Sequence, residues 1–183
     1  MIPIPEDQSE AVFPVVFAHN DGQELNLLIK RSDNTQLILI DYEYCGWNPM
    51  AMDLANYMLE CMFDNTAFPE DTGTRLYGSN CMTLPEIESM TTTYMTRYFE
   101  KYMKDDVKVR YDMDCAKFIK EEYQNLLKDI WACVKLLNFQ GGMWSMSRLD
   151  LENCTDPDTW EFSFCECRLD MDDCVDKIKS ASH

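Results

Sequence analysis

The sequence predicts an α+β domain: a small β-hairpin sheet followed by mostly α-helices. Two observations carry this. The apolar runs Leu27–Ile29 and Leu37–Ile40 are of strand length and flank Ser32-Asp33-Asn34-Thr35, a group of residues that favours turns. Beyond them, residues 52–63, 84–103 and 112–139 repeat apolar side chains at helical spacing.

In chain order, residues 1–11 read as an extended lead. Phe13 to Ala18 reads as a short buried strand, which Pro14 confines to an edge or to its first residues. The loop His19 to Asn26 follows, and its Gly22 relieves a tight backbone position. A two-residue turn about Asp33-Asn34 makes facing residues sum to 67, which sets Asn26 opposite Asp41. Facing residues have Cβ atoms about 4.5–5.5 Å apart. An amide oxygen and a carboxylate at that spacing can share a hard cation such as Mg²⁺. Asp21, in the loop leading to the same strand end, is near enough to act as a base on whatever the cation holds. The plainer reading is a surface hairpin with polar ends, and a slip of one residue turns one partner to the other face.

Cys45 to Pro49 reads as a turn cluster. A helix is expected over Met52–Phe63, with Asp53 in its first turn, where a carboxylate suits the helix dipole. Residues 65–80 form a loop, and Leu84-Pro85-Glu86 opens a helix to about Met103. Its stripe Met90, Tyr94, Tyr98 and Tyr102 reads as core, and Lys104-Asp105-Asp106 ends it in a turn. The central buried helix is expected over Asp112–Phe139, broken by Gly141-Gly142 and briefly resumed over Met143–Leu149. An acidic loop over 150–158 and a last helix over Trp160–Ile178 complete the chain.

The chain has 183 residues, 46 % of them hydrophobic, enough for one domain with a core. Its net charge of −17 argues against a nucleic-acid partner, because such binding neutralises phosphates with basic side chains. The same charge suits a small cationic substrate, which a negative cleft attracts, although it also serves solubility alone. The odd count of nine scattered cysteines and the lack of an apolar leader point to reduced thiols in the cytoplasm. The absence of any run of about 18 apolar residues predicts no membrane insertion. Neither His19 nor His183 falls at a zinc-ligand spacing with Cys165, Cys167 and Cys174.

His19-Asn20-Asp21 through Asn26 has the spacing H-x-D-x-x-x-x-N, which is that of the kinase catalytic loop. Together with Ile40-Asp41-Tyr42-Glu43-Tyr44 and Asp53-Leu54-Ala55-Asn56, it closely resembles the choline/ethanolamine kinase family. Asn20 in place of Arg points away from protein kinases. The resemblance implies the C-terminal lobe of a protein-kinase-like fold over residues 12–183, with catalytic loop and hairpin at 13–45 and a helical part at 50–180. It implies ATP- and Mg²⁺-dependent phosphorylation of the hydroxyl of choline or ethanolamine, a step of phospholipid biosynthesis. Asp21 would be the catalytic base, Asn26 and Asp41 the metal ligands, and His19, Gln23 and Asp53 the structural support of the loop. Asp53 would brace the loop backbone. Glu43, Tyr44, Trp144 and Phe162 would bind the substrate cation, and a homodimer is compatible with the resemblance.

The chain departs from the family in two respects. Asn65, Gly141 and Cys167 stand where the choline-binding pattern has aromatic rings, which weakens a choline cage more than an ethanolamine site. None of the six glycines forms G-x-G before a strand, and about a dozen residues precede the first strand, too few for an ATP-binding lobe. Little or no kinase activity is expected of these residues alone. A non-catalytic kinase-like protein acting by partner binding, or an aminoglycoside-type phosphotransferase, are the alternatives.

Overall fold

The computed structural model describes residues 11–33, 35–64, 75–76 and 81–148. In order, the elements are β1 (Val15–Ala18), a 3-10 turn (Glu24–Asn26), β2 (Leu27–Ile29), β3 (Leu37–Leu39), β4 (Gly46–Pro49), α1 (Ala51–Glu60), β5 (Phe63–Asp64), β6 (Arg75–Leu76), α2 (Leu84–Lys101), α3 (Asp105–Lys108) and α4 (Cys115–Arg148). The strands form three separate antiparallel pairs, β1 with β4, β2 with β3 and β5 with β6.

The first strand begins after Pro14, which has no N–H to give to a ladder. It is buried only in part: Ala18 is fully buried, whereas Phe17 is 62 % exposed and packs edge-on against Trp47. Its partner is a correction to the sequence reading. Gly46 to Pro49 forms a strand and not a turn, with Val15 opposite Pro49 and Ala18 opposite Gly46. Pro49 is tolerated because it falls at the end of the ladder.

The hairpin register is also corrected. Leu27 faces Leu39, Leu28 faces Ile38 and Ile29 faces Leu37, so facing residues sum to 66, not 67. The Asp33 carboxylate accepts from the Thr35 N–H at 3.1 Å and from its hydroxyl at 2.6 Å, which centres the turn on Asp33. The Lys30 N–H donates to the Gln36 carbonyl at 3.0 Å and closes the loop one residue out of the expected register. Asn26 therefore faces Ile40, whose N–H donates to the Asn26 carbonyl at 3.1 Å. Asp41 is the next residue along and takes a left-handed backbone with φ 61°.

The core lies where α1 and α2 pack on α4. Helix α1 buries Leu54, Ala55, Met58 and Leu59. Helix α2 starts with the Thr83 N–H donating to Glu86 Oε2 at 2.7 Å, and Pro85 lies in its first turn. Its fully buried stripe is Ile87, Thr91, Met95 and Phe99; of the expected stripe, Met90, Tyr94 and Tyr98 pack partly buried against that core and Tyr102 does not. Both rows repeat every fourth residue. Phe99 takes the core because its ring stacks on Phe118 at 5.4 Å, whereas Tyr102 is 73 % exposed.

Lys104 precedes the short helix α3, where the sequence suggested only a turn. Asp112 and Met113, at φ 57° and 58°, reverse the chain before α4, so this helix starts later than expected. The glycine pair does not break it: α4 runs through Gly141 and Gly142 to Arg148. A glycine costs a helix only about 1 kcal/mol against alanine, too little to end one of this length. Phe118 in its first turn is fully buried, with the rings of Tyr111 at 5.1 Å and Phe13 at 6.1 Å. No helix among the described residues is long and apolar enough to cross a membrane. The expected acidic loop and last helix lie outside the described residues.

Candidate active site

The loop between β1 and β2 is held from below by α1. Asp53, in the first turn of that helix, accepts the His19 N–H on Oδ2 at 2.9 Å and the Asn20 N–H on Oδ1 at 2.8 Å. One turn along the same face, Asn56 Oδ1 accepts the Gly22 N–H at 2.5 Å. A Cβ on Gly22 would stand 3.2 Å from that oxygen, so a close approach, not a special φ, favours glycine here. The three backbone donors of the loop thus end on two side chains of one rigid helix.

Within the loop, donors converge on Asp21. Asn26 Nδ2 donates to Asp21 Oδ2 at 2.7 Å and to the Asp21 carbonyl at 3.1 Å. Gln23 Nε2 donates to the same Oδ2 at 3.2 Å. Asp21 Oδ1 takes no hydrogen bond among the described residues. Asn26 is buried in the 3-10 turn before β2, and its amide oxygen is the atom left over once the nitrogen is committed to Asp21.

His19 is buried and its Nε2 lies 2.9 Å from the Ile40 carbonyl. A carbonyl only accepts, so the proton is on Nε2. This bond ties the start of the loop to the residue before Asp41. The imidazole also packs edge-on against Tyr42 at 5.1 Å.

Asn20 was not assigned a role from the sequence. It adopts φ 65°, a region that Asn tolerates better than most residues. Its Nδ2 donates to the Tyr44 carbonyl at 2.8 Å, and its Oδ1 accepts from Asn48 Nδ2 at 2.8 Å. The clasp links the loop to the segment carrying Glu43 and Tyr44, both exposed. Burial, then the Asp53 carboxylate, pushes the neighbouring Cys45 thiol up. Asn48 and Asn56 were likewise missed. The signal available for Asn56 was its i+3 spacing from Asp53; for Asn48 there was none, once its segment had been read as a turn.

His19, Asp21, Gln23, Asn26 and Asp53 are therefore joined by direct hydrogen bonds, and Asp41 follows Ile40, which both His19 and Asn26 hold. Trp144 is half-buried on α4. Phe162, Asn65 and Cys167 lie outside the described residues.

The family profile described as Choline/ethanolamine kinase matches residues 7–174 of the chain. This chain belongs to the choline/ethanolamine kinase family. Among its relatives, choline kinase alpha of Mus musculus is 33 % identical over 107 residues, 55 % of this chain and 24 % of that protein. A choline/ethanolamine kinase of Rattus norvegicus is 26 % identical over 163 residues, 84 % of this chain and 35 % of that protein. This family member thus spans about a quarter to a third of these two relatives. A crystal structure of choline kinase from Cryptosporidium parvum Iowa II superposes with a TM-score of 0.62 at 18 % identity, covering 92 % of this chain and 40 % of that one. The fold is the α+β, protein-kinase-like fold of that structure.

Proposed function

We propose that residues 12–183 form the metal- and substrate-holding lobe of a phosphotransferase that uses ATP and Mg²⁺ to phosphorylate the hydroxyl of choline or ethanolamine, in the cytoplasm, for phospholipid synthesis. The observation that supports it is the convergence of Asn26 and Gln23 on one oxygen of Asp21, with the other oxygen left for a substrate hydroxyl. Asp21 would accept the hydroxyl proton on Oδ1. Gln23 and Asn26 would hold the carboxylate in the orientation that this transfer requires. Positioning of this kind contributes much of the rate in phosphoryl transfer.

The donor chemistry suits Mg²⁺, and in the observed register Asp41 lies one residue beyond Ile40, the position that faces Asn26. Asn26 has its amide oxygen uncommitted, and Asp41 supplies a carboxylate one residue beyond the Ile40 carbonyl that His19 holds. Mg²⁺ usually takes one or two carboxylates and completes its shell with water and substrate phosphates, so Asn26 and Asp41 suffice from the protein side. Bound there, the ion would neutralise charge on the transferring phosphoryl group. Among the described residues, no cluster of three or more His, Cys, Asp or Glu side chains offers a competing cage.

Glu43, Tyr44, Trp144 and Phe162 would hold the substrate cation, each ring contributing about 0.5–2 kcal/mol by cation–π attraction. The Asn20–Tyr44 bond supports this part of the reading, because it ties the base loop to the substrate side.

The test follows phosphoryl transfer from ATP to choline and to ethanolamine by phosphorus NMR. The 183 residues alone are expected to turn over little, since no glycine-rich phosphate turn occurs among them. In a longer protein carrying these residues with an ATP-binding lobe, Asp21→Ala removes turnover and leaves the melting temperature in place. Near-wild-type rates in that variant would contradict the assignment of the base.

A further inference from the structure

Asn20 has three hydrogen-bonding groups besides its carbonyl, and each ends on a different part of the fold. Its backbone N–H reaches Asp53 on α1, its Nδ2 donates to the Tyr44 carbonyl, and its Oδ1 accepts from Asn48 Nδ2 on β4. A side-chain amide turned end over end keeps its shape but exchanges its donor for its acceptor. The orientation of the Asn20 amide therefore has to be selected by its neighbours.

The Tyr44 carbonyl can only accept, so it requires Nδ2. Oδ1 is then left toward β4 and requires a donor there, which Asn48 supplies. The polarity runs one way, from Asn48 through Asn20 to Tyr44, with both bonds at 2.8 Å. The two ends of this relay differ in support. Asn48 stands opposite Val16 in the β1–β4 ladder, on the strand pair that delivers the base loop. Glu43 and Tyr44 are exposed and lie between β3 and β4, in a turn that the Cys45 N–H closes on the Tyr42 carbonyl at 3.2 Å. The Asn20 bond is what ties that turn to the loop carrying Asp21.

We propose that Asn48 is a positioning residue for the substrate: by donating to Asn20 Oδ1 it fixes the orientation in which Asn20 holds the Tyr44 carbonyl, and so keeps Glu43 and Tyr44 placed against the Asp21 loop. The proposal rests on Glu43 and Tyr44 holding the substrate cation. Asn48 itself touches neither Glu43 nor Tyr44 by any hydrogen bond among the described residues, and acts through Asn20.

The test is NMR of the full chain, labelled with carbon-13 and nitrogen-15 and titrated at neutral pH with choline chloride, with sodium chloride as the control. In the wild type, Tyr44 signals should shift saturably with choline and not with sodium chloride. Asn48→Asp nearly keeps the shape of the side chain but presents only acceptors. It should draw Asn20 Nδ2 to itself and turn Oδ1 on the Tyr44 carbonyl. The Tyr44 carbonyl carbon should then lose its hydrogen-bonded shift, and choline should bind about fivefold more weakly, the loss expected for one hydrogen bond. The sign is diagnostic, because an added negative charge by itself attracts a cation. Asn48→Ala removes the donor without adding a rival acceptor and should weaken binding about twofold, which keeps the proposal open to refutation if Asn48→Asp does not fold. Unshifted amides in the middle of α4 show that a variant is folded. The proposal alone is overturned if a folded Asn48→Asp binds choline as well as or better than wild type, if Asn48→Ala is the more damaging of the two, or if Asn48→Ala binds unchanged. A wild-type Tyr44 that does not respond to choline overturns both the proposal and the substrate assignment beneath it.

Discussion

Phe118 on α4 is fully buried among three other aromatic rings, whereas Leu28 and Ile38, facing each other across β2 and β3, are 45 % and 47 % exposed. The first region is held by burial and close packing. The second is held by ladder hydrogen bonds, the Asp33 turn and the few polar links that reach it. The candidate site draws on both. Asp53 and Asn56 belong to α1, whose opposite face is in the core, while Asn26 and Asp41 flank the lightly packed hairpin. The loop backbone is therefore positioned by hydrogen bonds to a well-packed helix, with His19 and Asn26 buried beside it, while the hairpin itself stays exposed.

The comparison is sharpened first at Phe118. Phe118→Ala should cost about 3–5 kcal/mol, the usual range for removing a buried aromatic ring. Urea unfolding measures it, and a cost below about 1 kcal/mol would remove the packed helical body from the account. Next comes Asp53→Ala, which leaves two loop amides without their acceptor and should cost about 1–3 kcal/mol. Hydrogen exchange should then speed up at His19 and Asn20 and stay unchanged in the middle of α4. Uniform acceleration would mean that Asp53 supports the whole fold. Leu28→Ala should cost about 0.5 kcal/mol or less, as exposed positions usually do. A loss comparable to that of Phe118→Ala would break the contrast.

The smallest expected effect is at the start of α2. The Thr83 backbone N–H, then its hydroxyl, holds the Glu86 carboxyl below its ordinary 4.5. A carboxyl lowered in the folded state stabilises above the unfolded pKa and loses that contribution as pH falls through the folded one. The melting temperature of Glu86→Ala should thus lie slightly below wild type at neutral pH, and the gap should close on acidification below pH 4.5. A gap that widens in acid has the wrong sign.

The sequence was most legible where one physical rule acted alone. The helices over 51–60 and 84–101, and the one from 115 as far as the glycine pair, follow apolar spacing, and the start at Leu84-Pro85-Glu86 follows from Pro and an acid in the first turn. Legibility failed where two readings differed by one residue. The hairpin register slipped because Asp33 bonds to Thr35, a choice between neighbouring turns that the apolar runs do not distinguish. The deepest row of α2 slipped because Ile87-Thr91-Met95-Phe99 is as periodic as Met90-Tyr94-Tyr98-Tyr102, and the stack of Phe99 on Phe118 selects between them. Gly46 to Pro49 looked like a turn because its composition is that of one, and pairing with β1 overrode it. The loop residues stood out by their spacing, but the clasp of Asn20 with Asn48 and the hold of Asn56 on Gly22 depend on distant partners that spacing does not reveal.

The central claim is that Asn26 and Asp41 present oxygen atoms to one cation beside Asp21. Paramagnetic relaxation by Mn²⁺, used in place of Mg²⁺, tests it most directly. Amide signals of Asp21, Asn26 and Asp41 should broaden together at low Mn²⁺ while α4 stays sharp, and Asp41→Ala should abolish the effect. Broadening that is scattered over the acidic surface, or that survives in Asp41→Ala, would contradict the account.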